Sequence, residues 1–294
     1  MRGSGADSGN DPHLTVRAPN APAVRKLDGC AVRVLSKDEL CRYASGVPEV
    51  KFAPLPGISR SHINRCGETL REWWMSEEPD GDGEFMGEVI EAFRVMILFR
   101  ETFQGPMNKT AAGLRSMVKS EWPELQRPEA RIPVVQRLKR REQIINKLVR
   151  LPGELSNMGD IGGCRAVLQD RDMVDRVARR IRKNWTIHGR VRDRRDEPAE
   201  SGYRGLHFIV VRDGRRVEIQ LRDRLEQEWA VAVERTGARI GVGLKEGEGP
   251  PELKEYFRLA SLGMYRESQG EVIDDAFRVK FNAVRDAARP YFRR

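Results

Sequence analysis

One stretch near the middle of the chain alternates polar and apolar side chains. Glu218, Gln220 and Arg222 are interleaved with isoleucine and leucine. Successive side chains of a strand point to opposite faces, so the three polar groups share one face. A carboxylate there can hold a cation or accept a proton, but a solvated sheet face shows the same alternation. This segment alone therefore allows both a catalytic and a purely structural interpretation.

Two glycine-containing segments suit contacts with phosphates and bases. Asp160 precedes Gly162–Gly163 at the start of a predicted strand, which would hold a carboxylate beside backbone that a phosphate can approach. Tyr203 lies between Gly202 and Gly205 and can stack on a base. Each segment also fits a simpler interpretation: an ordinary turn before a buried strand, and a tyrosine packed on the neighbouring hairpin.

The charge of the chain favours a polyanionic partner. Lysine and arginine outnumber aspartate and glutamate by 53 to 44, which gives a net charge of +9. The excess is concentrated, because 131–150 has seven basic residues and one acid, and 171–195 has ten and three. We therefore predict nucleotides, RNA or DNA as partners, although net charge alone would also suit a solvated basic surface.

Cysteine and histidine usage argues against disulfide frameworks and zinc sites. The four cysteines are scattered without a CxxC pair, and the four histidines form no HxxxH pattern. The longest apolar runs, such as Val95–Phe99, fall far short of the ~20 residues that span a bilayer. No apolar stretch follows Arg2, so we expect a cytoplasmic protein without a secretory signal or membrane contacts.

The segments with candidate chemistry are predicted to lie in a mixed α/β middle part flanked by helices. Leu206–Arg212 and Arg216–Arg222, joined by Asp213-Gly214, predict a β-hairpin. Apolar residues at helical spacing predict helices elsewhere, and one short apolar run predicts a further strand. The predicted helices cover 59–74, 84–103, 108–119, 134–151, 173–185, 225–236 and the part after 252, and the further strand covers 161–168.

Composition divides the chain into four regions. Glycine, serine, aspartate and proline are frequent at the start, and Trp122-Pro123 and Arg127-Pro128 interrupt the helical pattern that follows. We predict a largely disordered tail at 1–45, an N-terminal helical region at 46–125, a core domain at 126–240 and a C-terminal helical region at 241–294.

The ordered combination of motifs is far more specific than any one of them. The series runs from Arg137-x-Lys139 and Lys147 through Asp160-x-x-Gly163-x-Arg165 and Gly202–His207 to Glu218–Arg222 and a helix with Gln227, Trp229 and Glu234. This order resembles the synthetase domain of RelA/SpoT enzymes, the pyrophosphokinases that make pppGpp and ppGpp. The resemblance covers Arg131 to Gly237 and implies an α+β fold, with a mixed, nucleotidyltransferase-like sheet flanked by N- and C-terminal helices.

Shorter segments resemble a narrower group, the toxic single-domain members that include CapRel-type and phage-encoded relatives. These segments are 59–67, the Phe103-Gln104 region, 137–140, 158–168 and 201–205. The narrower resemblance implies a toxin that transfers pyrophosphate to the 3′ CCA end of tRNA and has an antitoxin protein as partner. One alternative is a small alarmone synthetase acting on GDP, GTP or adenine nucleotides, and another is a non-catalytic RNA-binding relative. The presence of both Asp160 and Glu218 argues against the last.

The family resemblance implies a donor site for ATP and Mg²⁺. Arg137, Lys139 and Lys147 match the residues that grip the ATP phosphates, and Asp160 matches a Mg²⁺ ligand. Glu218 matches the catalytic glutamate, which helps to hold the metal and deprotonates the attacking 3′-hydroxyl. On a predicted helix, Lys139 and Lys147 would project about 80° apart and line one cleft, whereas Arg137 would point away.

The resemblance also implies an acceptor pocket. Tyr203 matches the tyrosine that stacks on the acceptor, and the positions of His207, Gln220 and Arg222 match polar residues that shape the pocket.

The loop before Tyr203 departs from the family pattern. Members commonly have Tyr-Ile after the aspartate that corresponds to Asp193, and here Arg194 and Arg195 stand in those places. With Arg192, they are candidate RNA-binding residues, because extra cations suit an acceptor that carries more phosphates than GDP. Ordinary surface arginines explain the departure equally well.

Overall fold

The computed structural model describes residues 24–27, 30–33, 57–76, 83–127, 131–151 and 153–292. Within the predicted tail, two short strands pair antiparallel, β1 (Val24–Leu27) and β2 (Cys30–Arg33). The rest of the tail prediction lies outside the described residues. No helix in the described ranges is both long and apolar enough to cross a bilayer.

The centre of the fold is a five-stranded mixed sheet in the order β3-β4-β7-β6-β5. Its strands are β3 (Val134–Leu138), β4 (Gly162–Val167), β5 (Arg192–Asp193), β6 (Leu206–Arg212) and β7 (Arg215–Arg222). β4 and β7 run parallel, and the other neighbouring pairs are antiparallel. The predicted α+β class with a mixed sheet and flanking helices is confirmed.

The helices surround this sheet on the N- and C-terminal sides and between strands. They are α1 (Arg60–Met75), α2 (Gly83–Glu101), α3 (Gln104–Glu121), α4 (Arg141–Arg150), α5 (Arg171–Asn184), α6 (Arg224–Ile240), α7 (Pro251–Ser268) and α8 (Asp275–Ala288). Short polar side chains begin several of them: Ser59 caps α1, Asp170 caps α5, and Asp223 forms a capping box with Glu226 at α6. The sequence therefore fixes where β7 ends and α6 begins.

The prediction of one helix over Val134–Leu151 is wrong for its first part. Val134–Leu138 is a strand that pairs with β4, and the helix begins only at Arg141. Pro133 precedes two adjacent β-branched valines, and such residues favour an extended strand once a neighbouring strand is available. The helical-wheel argument for Lys139 fails, because Lys139 lies in the loop between β3 and α4.

The two faces of the sheet differ sharply in polarity. One face carries Cys164, Phe208, Ile219 and Leu221, which belong to a buried cluster with residues of α3 and α5. Burying each large apolar side chain contributes about 1.5–3 kcal/mol. A one-residue slip of β7 would move Glu218 into that cluster, so the apolar pattern fixes the register that puts polar groups on the other face.

Candidate active site

The second face of the sheet collects most of the predicted site residues. Cross-strand pairing sets Glu218 beside Gly163 on one side and Ile209 on the other. In the next row, Gln220 lies between Arg165 and His207. The predicted separation of a polar and an apolar face along β7 is confirmed by this register, although Glu218 and Arg222 are themselves buried.

Glu218 is the central acid of this face and is held by three partners. Its Oε1 accepts from His207 Nδ1 at 2.9 Å and lies 3.5 Å from Arg192 Nη2, and its Oε2 accepts from Gln220 Nε2 at 2.8 Å. Burial would raise the pKa of Glu218, but the hydrogen bonds and charges of these partners outweigh it and lower the pKa to about 2. Glu218 is therefore an anion at every physiological pH.

A chain of hydrogen bonds continues from Glu218 into the predicted acceptor pocket. His207 Nε2 lies 2.6 Å from the Tyr203 hydroxyl, and the hydroxyl oxygen accepts from Arg222 Nη2 at 2.9 Å. Arg222 Nη1 donates to Gln227 Oε1 at 3.0 Å. The predicted acceptor residues Tyr203, His207, Gln220 and Arg222 thus lie together in one network with Glu218.

Tyr203 is less available for stacking than its position in the sequence suggests. It is only 9% exposed, and two cations lie close to its ring, with Arg222 Cζ 5.0 Å and Lys245 Nζ 5.3 Å from the ring centroid. Burial, the largest effect, raises the pKa of the Tyr203 hydroxyl, so it stays protonated as a hydrogen-bond donor at neutral pH. The stacking of an acceptor base on Tyr203 stays a prediction.

Asp160 forms a second cluster with two of the predicted ATP-binding lysines. Its Oδ2 lies 2.9 Å from Lys139 Nζ and 2.6 Å from Lys147 Nζ. Burial would raise the pKa of Asp160, but the two ammonium groups outweigh it and lower the pKa. The lysines therefore converge on one point, although they do so from a loop and a helix and not from one helix face.

The Asp160 turn reaches the same sheet face as Glu218. A Cβ added at Gly159 would lie 3.5 Å from Cδ1 of Ile209, the cross-strand partner of Glu218. Beside Glu218, the face is open above Gly163, because a Cβ there would meet only the backbone oxygen of Glu218, at 3.7 Å. The Asp160 turn and Glu218 thus lie at the same face of the sheet, which has a backbone floor at Gly163.

Arg137 and Glu218 lie on opposite sides of Gly163, on the two strands that flank β4. Arg137 pairs in register with Gly163, and its side chain is exposed. Because this segment is a strand, Arg137 lies on the polar face of the sheet. On the predicted helix it would have pointed away from the two lysines. The ATP-binding role of Arg137, Lys139 and Lys147 stays a prediction.

The three arginines predicted to bind RNA have different surroundings. Arg192 is exposed and pairs with Glu218, and Arg194 is exposed on the edge of the sheet. Arg195, however, is only 7% exposed, and its guanidinium binds Asp193 at 2.6 Å and Asp175 at 2.7 Å. Arg195 is therefore paired with two carboxylates, whereas Arg192 and Arg194 are exposed, and RNA binding by the three arginines stays a prediction.

The acids on this face suit a magnesium ion that is bound together with substrate. Among the described residues, no group of three or more histidine, cysteine, aspartate or glutamate side chains could hold a metal. Mg²⁺ needs few protein ligands, because it keeps waters and substrate phosphates in its coordination shell. Asp160 Oδ1 is buried and has no hydrogen-bond partner in the described part of the chain. This oxygen is therefore available to coordinate a cation. The residues present fit Mg²⁺ bound with ATP.

Sequence reasoning gave no role to three further side chains of this face. Arg165 Nε donates to Gln220 Oε1 at 3.2 Å, and Glu234 Oε1 lies 3.4 Å from Lys245 Nζ. Arg165 and Glu234 belong to the motif series, so their presence there was an available signal. Lys245 follows α6 in a short 3-10 turn, Leu244–Glu246, and no motif or spacing pointed to it.

Comparisons with known proteins match the segment of the chain that contains most of these residues. Residues 136–236 match the family described as "Region found in RelA / SpoT proteins". Uncharacterized protein Rv1366 of Mycobacterium tuberculosis and Uncharacterized protein Mb1401 of Mycobacterium bovis are each 32% identical over 126 residues. The match covers 41% of this chain and 45% of each relative, so the chain spans about half the length of the curated relatives it matches.

Two solved structures are also similar. Small alarmone synthetase 1 from Bacillus subtilis, bound to its product pppGpp, is 25% identical, with 58% of this chain and 93% of that chain covered and a TM-score of 0.47. A GTP pyrophosphokinase family protein from Streptococcus pneumoniae is 24% identical, with 62% and 96% covered and a TM-score of 0.45. The family match over 136–236 supports the resemblance to RelA/SpoT synthetases, and the narrower toxic subgroup stays a prediction.

Proposed function

We propose that this chain is an ATP-dependent pyrophosphokinase that transfers the β,γ-pyrophosphate of ATP to a ribose 3′-hydroxyl. The observation that carries the proposal is the pair of acid clusters at one sheet face, Asp160 among lysines and Glu218 among acceptor-side groups, with the open backbone of Gly163 beside Glu218. We assign this activity to residues 126–240, with helical regions at 46–125 and 241–294.

The chemistry is a displacement at phosphorus. The acceptor 3′-oxygen attacks the β-phosphorus of ATP, the bond from that phosphorus to the α,β-bridging oxygen breaks, AMP leaves, and the proton of the 3′-hydroxyl passes to solvent. Lys139, Lys147 and Arg137 would neutralise the phosphate charge that builds up in this step. Mg²⁺, held by Asp160 and Glu218 with the ATP phosphates, would supply further charge neutralisation.

The surroundings of Glu218 favour a role as a fixed negative charge over one as a proton acceptor. A carboxylate with a pKa of about 2 is a weak base, because efficient general bases have a pKa near the working pH. Its contacts with His207 and Gln220 instead orient the side chains that line the acceptor pocket. We retain Glu218 as essential and assign its effect mainly to charge and positioning.

A nucleotide is the acceptor that these features support best. The similar Bacillus subtilis synthetase is bound to pppGpp, which favours GDP or GTP. A tRNA 3′ end is the second candidate, supported by the exposed Arg192 and Arg194 at the edge of the sheet. A tRNA-directed activity would make the chain a translation-inhibiting toxin with an antitoxin protein as partner.

A label-transfer experiment tests the proposal directly. The protein is incubated with ATP labelled at the γ-phosphate, Mg²⁺ and one of GDP, GTP, unlabelled ATP or bulk tRNA. Label on a nucleotide supports the main proposal, and label on tRNA alone supports the second candidate. An Asp160→Asn variant is the background control. Label on no acceptor, with the wild-type protein folded, refutes both and leaves the non-catalytic interpretation.

A further inference from the structure

The loop between β5 and β6 carries Tyr203, and its own hydrogen bonds are few. Within residues 196–204, hereafter the acceptor loop, Ala199 N donates to Tyr203 O at 3.0 Å and Gly202 N donates to Ala199 O at 2.8 Å. Gly202 has a positive φ of 88°, which a glycine adopts without strain but does not hold rigidly. Contacts from outside the acceptor loop are therefore needed to fix the place of Tyr203.

One buried hydroxyl of α7 binds the acceptor loop on both sides of Tyr203. Ser261 is 4% exposed, and its Oγ donates to Gly202 O at 2.6 Å and accepts from Arg204 Nε at 3.1 Å. The two backbones also approach closely, because a Cβ added at Gly202 would lie 3.0 Å from Arg258 Cα. The acceptor loop thus lies directly against α7, with the Arg204 side chain directed to the helix and that of Tyr203 to the sheet.

A second side chain of α7 holds the start of the acceptor loop. The Arg204 guanidinium lies over the ring of Tyr265, with Cζ 4.0 Å from the ring centroid, and the Tyr265 hydroxyl donates to Asp196 Oδ1 at 2.9 Å. Arg204 Nη1 also donates to the backbone oxygen of Arg195, so this side chain joins α7 to the residue before the loop. Arg204 is buried, and a desolvated contact between a cation and an aromatic ring contributes at least as much as an ordinary hydrogen bond.

We propose that α7 holds the acceptor loop in place before the acceptor binds, and that Ser261 and Tyr265 are positioning residues that act on Tyr203 through Arg204 and Gly202. The inference rests on the proposed function, since it concerns the acceptor of that reaction. α7 lies outside 136–236, the segment that matches the family. A loop that is already ordered loses less conformational freedom when its ligand binds, so α7 raises the affinity for the acceptor without contacting either substrate.

Steady-state kinetics of label transfer from ATP to GDP, combined with hydrogen exchange, tests this role of α7. Ser261→Ala removes the donor to Gly202 O, and Tyr265→Leu removes the ring at a half-buried position. Each change is expected to raise the KM for GDP about tenfold, with kcat and the KM for ATP within about twofold of the wild type. The amides of Ala199 and Gly202 should exchange about tenfold faster in both variants. Ser268→Ala, the same change at an exposed position of α7, is the matched control and should behave like the wild type.

The two measurements separate positioning of the acceptor loop from a general disturbance. Equal rises in the KM for GDP and for ATP, or a fall in kcat alone, would mean that the variants damage the whole site, and the inference is refuted. An unchanged KM for GDP, or unchanged exchange at the two loop amides, also refutes it. If tRNA alone receives label, the same comparison is made with tRNA as the acceptor. A wild-type protein that labels no acceptor overturns the proposed function, whereas an active wild type with unaltered variants overturns only the role of α7.

Discussion

Replacing Glu218 by glutamine should change both activity and stability, the latter in a pH-dependent way. Glu218→Gln preserves the shape of the side chain but removes the charge that His207 and Arg192 stabilise. The pKa of Glu218 is about 2, against an ordinary value of 4.5. Because the folded-state pKa is the lower one, this charge stabilises the fold above pH 4.5, and the stabilisation is lost as the pH falls towards 2.

The size of this effect follows from the two pKa values. The difference between 4.5 and about 2 corresponds to roughly 3 kcal/mol, at about 1.4 kcal/mol per pH unit. The side chain is only 11% exposed, so solvent screens little of this energy. We therefore expect Glu218→Gln to be less stable than the wild type by roughly 3 kcal/mol at pH 7, with the gap closing towards pH 2. Pyrophosphate transfer at pH 7 should fall at least ~100-fold.

Denaturant unfolding of both proteins between pH 2.5 and 7, together with label transfer at pH 7, measures these quantities. Glu228→Gln, an exposed change on α6, provides the control and should follow the wild type at every pH. A stability difference that stays constant from pH 7 to 2.5 would show that the fold does not lower the pKa of Glu218. Full transfer activity in a folded Glu218→Gln protein would refute its place in the active site.

Three further changes probe other parts of the site. Asp160→Asn should lower label transfer about 100-fold, because Lys139 and Lys147 lose the carboxylate that holds them; an unchanged rate would contradict the donor site. Gly163→Val should block the open floor and weaken ATP binding, measured by calorimetry, at least tenfold, with the melting temperature preserved because valine suits a strand. Burial and the charge of Asp223 raise the pKa of Glu226 to about 7, so its proton stabilises the fold below pH 4.5 and that contribution is lost as the pH rises through 7. Glu226→Gln should therefore gain stability relative to the wild type between pH 5 and 8 in thermal unfolding, and a loss of stability there would argue against a raised pKa at Glu226.

Local chemistry made much of the central sheet predictable. The β6–β7 hairpin followed from alternating residues around Asp213-Gly214, and both turn residues have the positive φ, 47° and 73°, that a tight hairpin turn requires. Alternation along β7 also gave the correct face for Glu218. By contrast, β3 was mistaken for helix, because its extended form depends on pairing with β4, which lies beyond α4 in the chain.

Some side chains were not predicted because contacts with residues distant in the sequence determine their surroundings. Arg195 is neutralised partly by Asp175, 20 residues earlier, and no local pattern reveals that pairing. Lys245 approaches Tyr203 only because α6 returns the chain to the sheet face after 17 residues. Motif order predicted which residues form the candidate site, but the distribution of charge among them required the folded chain.

The hydrogen-bonded series from Glu218 through His207 to Tyr203 has a thermodynamic consequence. If Tyr203 turns outward to meet a base, His207 loses one partner, and the imidazole that orients Glu218 is then less constrained. The donor and acceptor halves of the pocket would then share a coupling free energy, and linkage requires that each substrate alters the affinity of the other by the same factor. Binding of an acceptor would therefore change the affinity of the protein for ATP, with His207 connecting the two halves of the pocket.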